Sequence, residues 1–447
     1  LQDTNPTLSQ VDDIIGRSIV ELYPELISWR RDFHRYPESG WTEYRTSAKI
    51  AERLELWGWK VFLGDEVLNS SARMGVPSSE VLTSCETRAS QEGVSDILLE
   101  RMKGGRTGVV AEWKSGIEGP VFALRFDIDC NDLQETEQEG HIPVKEGFAS
   151  RHEGCMHACG HDGHAAMGLA VAKWISHYHR DFPLMGTIRL IFQPAEEGCR
   201  GAQAIVEKGW LDDVDYFLSG HIGFRSFELG EVVLNTTGFY ATTKWDTTFI
   251  GKPAHASGEP ELGKNALLAA STAALNVHAI SRHSQGVSRI NVGKLVAGSG
   301  RNIVPSHAYM QIETRGETEA INQYISDELQ RILRASATMY DVELKLEKVG
   351  EAGEAKGTPE WVERLYENFS QVSGITRLIS QLSLGASEDV VFMMKRVQER
   401  GGSAAYLLFG SSLAAMHHQA EFHFDERVLQ IGVEGYVRAL VNTLGEK

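Results

Sequence analysis

The run CMHACGHDGHAAMG (155–168) crowds Cys155, His157, Cys159, His161, Asp162 and His164 into ten positions. Thiols and imidazoles gathered among glycines are the donor types a transition metal takes. No further cysteine pair of the zinc-ribbon kind follows, so an all-cysteine structural zinc site is excluded. More donors lie in three other places. QPAEEGCRGA (193–202) carries the adjacent acids Glu196 and Glu197, directly after the apolar run GTIRLIFQ (186–193). SGHIG (219–223) places His221 at the end of another apolar run, and HHQAEFHFDE (417–426) brings His417 and His418 shortly after AAYLLFG (404–410). A single histidine beside a strand is more often a core residue than a ligand. Four patches, three of them at strand exits, form the convergent pattern of a metal-dependent active site.

The mixture of cysteine, histidine and glutamate has a chemical reason. A hydrolytic zinc or manganese site needs several protein ligands and one open position for water. A second metal about 3.5–4 Å away needs a bridging ligand, and a thiolate or carboxylate can bridge where a neutral imidazole cannot. Adjacent glutamates can divide the work, one on metal and the other free to take a proton from water. Metal coordination lowers the pKa of water from about 15.7 toward about 7, within reach of a carboxylate base.

These donors must be positioned by elements that the rest of the chain predicts. Residues 8–36 and 42–57 read as helices around the turn Pro37–Gly40. The segment 66–104 is polar and serine-rich, and predicts an insertion with one helix near Val94–Met102. The runs TGVVAEW and PVFALRFDI begin an α/β core of buried strands, and His164 is expected to open the helix HAAMGLAVAKWI. From about residue 238 the order becomes strand, helix, two strands, helix, strand, the βαββαβ order of a ferredoxin-like unit. The core resumes with PEWVERLYENF, SEDVVFMMKRVQ, AAYLLFG and a last helix from Glu426. Glu388 and Asp389 are expected first as a cap for the helix that follows them, and second as support behind the metal ligands.

The motifs MHACGHDGH, QPAEEG, SGHIG, RDFHRYPE (31–38) and the spacing of His418 to Phe422 resemble the dinuclear metallo-amidohydrolase branch of the aminoacylase/carboxypeptidase G family. Hippurate hydrolases and auxin-conjugate hydrolases belong to that branch, and the likeness runs over nearly the whole chain. It implies a three-layer α/β/α catalytic domain of metallopeptidase type in two parts, 1–237 and 350–447. Between them it implies an inserted ferredoxin-like lid and dimerisation domain over 238–349. It implies two divalent metal ions per chain, manganese or zinc, held by Cys159 as bridging thiolate with His161, Glu197, His221 and His418. Glu196 is then the general base, and Asp129 supports the site from behind the ligands. His255 reaches the site of a neighbouring copy as a catalytic donor, while Asn302 and Arg315 hold the substrate carboxylate.

Two departures from the family pattern are Cys130 with Asn131 after the supporting acid, which puts an extra thiol near the site, and Cys155, which is not a family ligand. His157 and His164 are expected to be structural. The implied reaction is hydrolysis of the amide bond of an N-acyl amino acid, with p-aminobenzoyl-glutamate as the expected substrate. The alternatives are a broader hippurate-type range and a non-catalytic, metal-clipped subunit. The implied partners are a second copy in a homodimer and a related second subunit.

The remaining composition narrows the classes. The chain has 447 residues, 42% of them hydrophobic and 23% charged, enough for two or three domains with ordinary cores. A net charge of −17 argues against nucleic acid or an anionic membrane as partner. Five cysteines, one expected on metal, argue for a reducing cytoplasm and against a disulfide framework. The N-terminal LQDTNPTLSQ has no charged-then-apolar signal pattern.

Overall fold

The computed structural model describes residues 8–445, and the reading of the first seven residues falls outside it. In chain order the strands are β1 (Lys60–Leu63), β2 (Val109–Lys114), β3 (Val121–Asp127), β4 (Thr187–Gln193), β5 (Tyr216–Ile222), β6 (Glu231–Val233) and β7 (Thr236–Thr237). They continue with β8 (Ala241–Ile250), β9 (Ser288–Ala297), β10 (His307–Gly316), β11 (Glu343–Ala352), β12 (Arg377–Ile379), β13 (Leu382–Ser383) and β14 (Ser403–Phe409). Eight strands form one sheet in the order β1-β2-β4-β3-β5-β14-β6-β12. Its centre, from β4 through β3 and β5 to β14, is parallel. β1, β2 and β6 pair antiparallel at its flanks.

The pleat divides each central strand between two cores. Phe122, Leu124 and Phe126 of β3 face one side with Leu190 and Phe192 of β4. The helices Leu8–Arg35, Tyr44–Leu56, His161–Tyr178, Pro359–Phe369 and Arg427–Leu444 cover that face. Ala123, Ile191, Phe217 and Tyr406 face the other side, under the helices Ala202–Val206 and Val390–Glu399. This is the expected three-layer α/β arrangement. Arg125, Asp127, Gln193, Ser219 and His221 take the same pleat direction as the second set. These five buried polar residues of the parallel strands therefore share one face of the sheet.

Two local expectations need correction. Between 66 and 104 there are two helices, Ser79–Gln91 and Asp96–Met102. The serines that make the stretch look unstructured are its caps: Ser78 and Ser95 side chains accept from the backbone N–H of Val81 and Leu98. Only Leu82 and Ala89 are buried in the first helix, so it shows little periodicity. The helix expected to open at His164 opens at His161, directly after Gly160, whose φ of 93° is a left-handed turn that glycine allows.

β8 to β11 form a separate antiparallel sheet in the order β11-β8-β10-β9. The helices Ala266–His278 and Glu319–Met339 pack on one face against Phe249, Met310 and Ile312. The alternation along β10 turns Glu313 and Arg315 to the opposite face, where Lys244 of β8 stands directly across from Glu313. That face meets the turn after β4. The Glu351 N–H donates to the Cys199 carbonyl at 2.9 Å. Gly350 packs against the Gly198 carbonyl so closely that a Cβ there would overlap it.

Gly350→Ala should therefore cost about 1–3 kcal/mol, as overpacking does, and disturb the turn at Glu196–Cys199. Thermal melts of the variant beside Ala352→Gly check this. Wild-type stability in Gly350→Ala would show that the close approach is dispensable.

Candidate active site

The site is assembled where four loops leave the parallel strands. Cys159 and His161 come from the segment that feeds the helix His161–Tyr178, Glu196 and Glu197 from the turn after β4, His221 from the end of β5, and His418 from the loop after β14. Their donor atoms fall into groups lying within 4.8 Å of one another: Cys159 with His161 and His221, Cys159 with Glu197 and His418, and His161 with Glu196 and Glu197. Cys159 Sγ lies 3.4 Å from His221 Nε2, and His418 Nε2 lies 3.3 Å from Glu197 Oε1.

Hydrogen bonds aim the imidazoles. His221 Nδ1 donates to the Ile222 carbonyl at 2.8 Å, which leaves Nε2 as the lone-pair nitrogen facing Cys159. His161 Nδ1 is bonded to the Asp129 carbonyl at 2.9 Å, and its buried Nε2 has no hydrogen-bond partner. Glu197 Oε1 and Asp129 Oδ1 are likewise buried without a sound hydrogen bond. Buried orphaned donors and acceptors are rare and costly. His161 and Glu197 fall in one donor group and each also shares a group with the Cys159 thiol, a mixed soft and hard set that fits a divalent cation.

The electrostatics agree with this fit. Burial lowers the pKa of His161, but Asp127, Asp129 and Glu197 outweigh it and hold the ring up to about 10. Burial opposes the charge on Glu197, yet the His418 imidazole beside its Oε1 brings it down to about 2. The acids thus draw positive charge to the place where His161 Nε2 stands. Burial, then Glu388 and Glu197, push Glu196 well above the usual carboxylate range, the direction that makes a better proton acceptor.

Neighbouring residues sort themselves by their bonds. His164 Nδ1 donates to Asp127 at 2.6 Å and its Nε2 accepts from the Ile222 N–H at 3.0 Å, so both nitrogens are spent. His417 Nε2 is bonded to the Ile222 carbonyl at 3.0 Å, whereas His418 faces Glu197 from a left-handed backbone, φ 63°. Asp129 Oδ2 accepts from the Glu197 N–H at 2.9 Å, and so fixes the turn as well as His161. Cys130 and Cys155 lie beside the Ser39 hydroxyl and belong to none of the donor groups. His157 is buried with neither ring nitrogen bonded.

Arg315 lines a cavity of about 120 Å³ together with Cys159, Glu196, Glu197, His221 and His418. His255 and Asn302 do not reach it. They lie next to each other on two exposed loops, after β8 and after β9, where His255 and Ile303 form an isolated bridge, at the end of the four-stranded sheet opposite Arg315. The seven residues of β8 from Lys244 to Ile250 separate the two ends by roughly 20 Å. His255 Nδ1 accepts from the Gly258 N–H at 3.0 Å, which leaves its outer nitrogen to solvent.

Sequence reasoning did not single out several residues of the site. Arg125 is fully buried, with Nη1 2.7 Å from Asp127 and Nη2 3.0 Å from Glu388 and 3.3 Å from Asp389. Glu388 also accepts from the Tyr406 hydroxyl at 2.7 Å, and Asp389 Oδ2 accepts from the N–H groups of Gly201 and Ala202. The pair expected as a helix cap is therefore chiefly part of the buried network. Glu388 does accept from the Val390 N–H at 3.3 Å, but the Asp389 side chain makes no cap bond to the helix that follows it. Lys244 and Cys199 also line the cavity. An arginine inside the apolar run VFALRFDI and a lysine inside a strand were the available signals.

Residues 123–442 match the family described as peptidase family M20/M25/M40. A chain of the p-aminobenzoyl-glutamate hydrolase of Escherichia coli (strain K12) is 47% identical over 429 residues, 96% of this chain and 98% of its own. The indole-3-acetyl-aspartic acid hydrolase of Enterobacter agglomerans is 45% identical over 430 residues, with 96% and 98% covered. The crystal structure of an aminobenzoyl-glutamate utilization protein from Klebsiella pneumoniae superposes with a TM-score of 0.83 at 41% identity, covering 96% of this chain and 98% of that one.

The buried guanidinium yields a direct expectation. Arg125→Met leaves Asp127, Glu388 and Asp389 without their cation and should cost roughly 3–5 kcal/mol, as loss of one partner of a buried ion pair does. Urea unfolding measures it; a loss below about 1 kcal/mol would mean the acids are protonated and need no partner.

Proposed function

Because the chain belongs to peptidase family M20/M25/M40, we propose that it is a metal-dependent amidohydrolase that cleaves an N-acyl amino acid. The observation that carries this reading is the pair of donor groups that share Cys159, with a further carboxylate, Glu196, beside them in one cavity. A structural metal clip has no use for that additional acid. Cys159, His161, Glu197, His221 and His418 would hold two divalent cations, manganese or zinc. Bound there, the cations would polarise the scissile carbonyl and make a water molecule acidic enough to attack. Glu196 takes the proton of that water and returns it to the leaving amine. Asp129 holds His161 and the Glu197 backbone in place throughout.

p-Aminobenzoyl-glutamate is the substrate we favour, which would make the enzyme a consumer of a folate breakdown product. The name of the second relative points to indole-3-acetyl-aspartate. Both are an aromatic acyl group on an acidic amino acid. Arg315, with five donors in a planar fork, suits the α-carboxylate of such a leaving group, and Asn302 adds a neutral donor.

His255 and Asn302 would have to come from a second copy. Residues 238–349 then act as lid and dimerisation domain. In support, β9 is an open sheet edge, and Leu268, Leu275 and Val296 are 45%, 77% and 55% exposed on the same unit. Exposed apolar surface beside an unpaired edge is the kind of surface that association covers. A related second chain is a further partner, since the Escherichia coli relative is named as one component of its hydrolase. No described helix is long and apolar enough to cross a membrane, which is compatible with work in the cytoplasm.

Two tests follow. Glu196→Gln should keep its metals and lose on the order of 10²–10⁴-fold in kcat, whereas Glu197→Gln and Cys159→Ser should lose metal. Mass-spectrometric metal content with turnover of p-aminobenzoyl-glutamate decides; a metal-free Glu196→Gln beside a replete Glu197→Gln reverses the roles. For the shared site, Glu196→Gln and His255→Ala chains are each expected to be nearly inactive. Unfolded and refolded together they should recover about a quarter of wild-type activity, because half the dimers are mixed and each holds one complete site. No recovery on mixing refutes the crossing of His255 between copies.

A further inference from the structure

We infer that Lys244 is the residue that selects an acidic amino acid in the substrate, by binding its side-chain carboxylate. The inference rests on the amidohydrolase reading above and extends it to a subsite. Lys244 and Arg315 are the two permanent cations among the described residues that line the cavity. They share one acid: Glu313 Oε1 accepts from Lys244 Nζ at 2.6 Å and from Arg315 Nη2 at 2.9 Å. Two cations on one carboxylate leave a positive excess on this wall, facing Glu196 and Glu197 across the cavity.

The wall is built to present that excess. Lys244 and Glu313 are directly opposed across β8 and β10, and Arg315 follows Glu313 on the same face. On its other side Lys244 pairs with Gly350 of β11, where a Cβ would lie 3.2 Å from Lys244 Cδ. The missing side chain gives the lysine stem a track toward the cavity. The lysine side chain is 24% exposed and that of Arg315 35%, so a charge-assisted bond to either is partly shielded from water.

A glutamate or aspartate moiety brings two carboxylates into a cavity already lined with acids. If Arg315 takes the α-carboxylate, the second requires a second cation, and Lys244 supplies it from the neighbouring strand. In the free protein Glu313 stands in for that carboxylate and keeps the ammonium charged and placed. A neutral amino acid offers nothing to Lys244 and leaves its bond to Glu313 unchanged, so discrimination falls on the charge of the substrate side chain rather than on its length.

The experiment uses the metal-loaded enzyme and two substrates that differ only in that charge, p-aminobenzoyl-glutamate and its γ-amide, p-aminobenzoyl-glutamine. Wild type should favour the glutamate. Lys244→Met should reduce the glutamate-to-glutamine ratio of kcat/KM on the order of 30-fold or more, mainly through KM for the glutamate. Lys244→Arg should retain most of the preference. Should the methionine variant fail to fold, Lys244→Gln keeps a polar chain of similar reach and gives the same reading. A ratio unchanged in Lys244→Met, including equal losses on both substrates, overturns the assignment. A wild type that hydrolyses neither amide refutes the amidohydrolase reading itself, and is told apart by having no ratio to change.

Discussion

A guanidinium with no access to water holds this site together. Arg125 is fully buried on β3 and touches Asp127, Glu388, Asp389 and Gln193. Burying that many charges is costly, and they coexist only because each finds a hydrogen-bonded partner. The bonds run outward in two directions. Asp127 receives His164, which accepts from the Ile222 N–H, and the Ile222 carbonyl in turn fixes the rings of His221 and His417. Asp389 receives the Gly201 and Ala202 N–H groups and Gln193, and so holds both ends of the turn that carries Glu196 and Glu197. One cation thereby sets the orientation of donors that arrive on separate strands.

The turns themselves are unusual. Ala195, Cys199, Phe224 and His418 all have positive φ, at 51°, 58°, 68° and 63°, a region that residues with a Cβ seldom occupy. Ala195 and Cys199 bracket Glu196 and Glu197. Phe224 follows the His221 strand and His418 faces Glu197. A backbone held this way persists only where surrounding bonds over-determine it. The bonds are present: the Ala195 N–H donates to Glu43, the Cys199 carbonyl accepts from Glu351, and the His418 N–H donates to the Ala158 carbonyl. Strain at the donor loops is thus carried by Glu43 and Glu351, from parts of the chain that contribute no donor, and by the Cys159 segment itself.

Much of this was legible in the sequence, for physical reasons that can be named. Metal-ligand types are rare and chemically distinctive, so the patches that hold Cys159, His161, Glu197, His221 and His418 stand out even when the fold is unknown, while the choice of these residues over neighbours such as Cys155 and His417 is what the family resemblance implies. Apolar runs longer than a turn mark the buried parallel strands, and the residues just after them mark the exits. What was read less surely or missed had no local signature. Glu388 and Asp389 look like ordinary cap residues because Arg125, the partner that explains them, lies over 260 residues away. The helix Ser79–Gln91 was hidden because it buries so little of itself. Lys244 reads as an exposed strand cation until the sheet's helix-free face is seen turned toward the donors.

The contact between Gly350 and the Gly198 carbonyl has a consequence for how such an enzyme can diversify. It is where the four-stranded sheet meets the larger one, and the two contribute different things to the cavity. The large sheet carries the cysteine, histidine and glutamate donors that line the cavity, several of them tied to Arg125 through hydrogen bonds. The small sheet carries the cationic wall, on two antiparallel strands whose helix-covered face is packed independently. Side chains on that wall can be exchanged without repacking either core. Over evolutionary time a lineage can therefore change what it eats while keeping how it cuts, with the tight glycine seam as the part that neither half can alter alone.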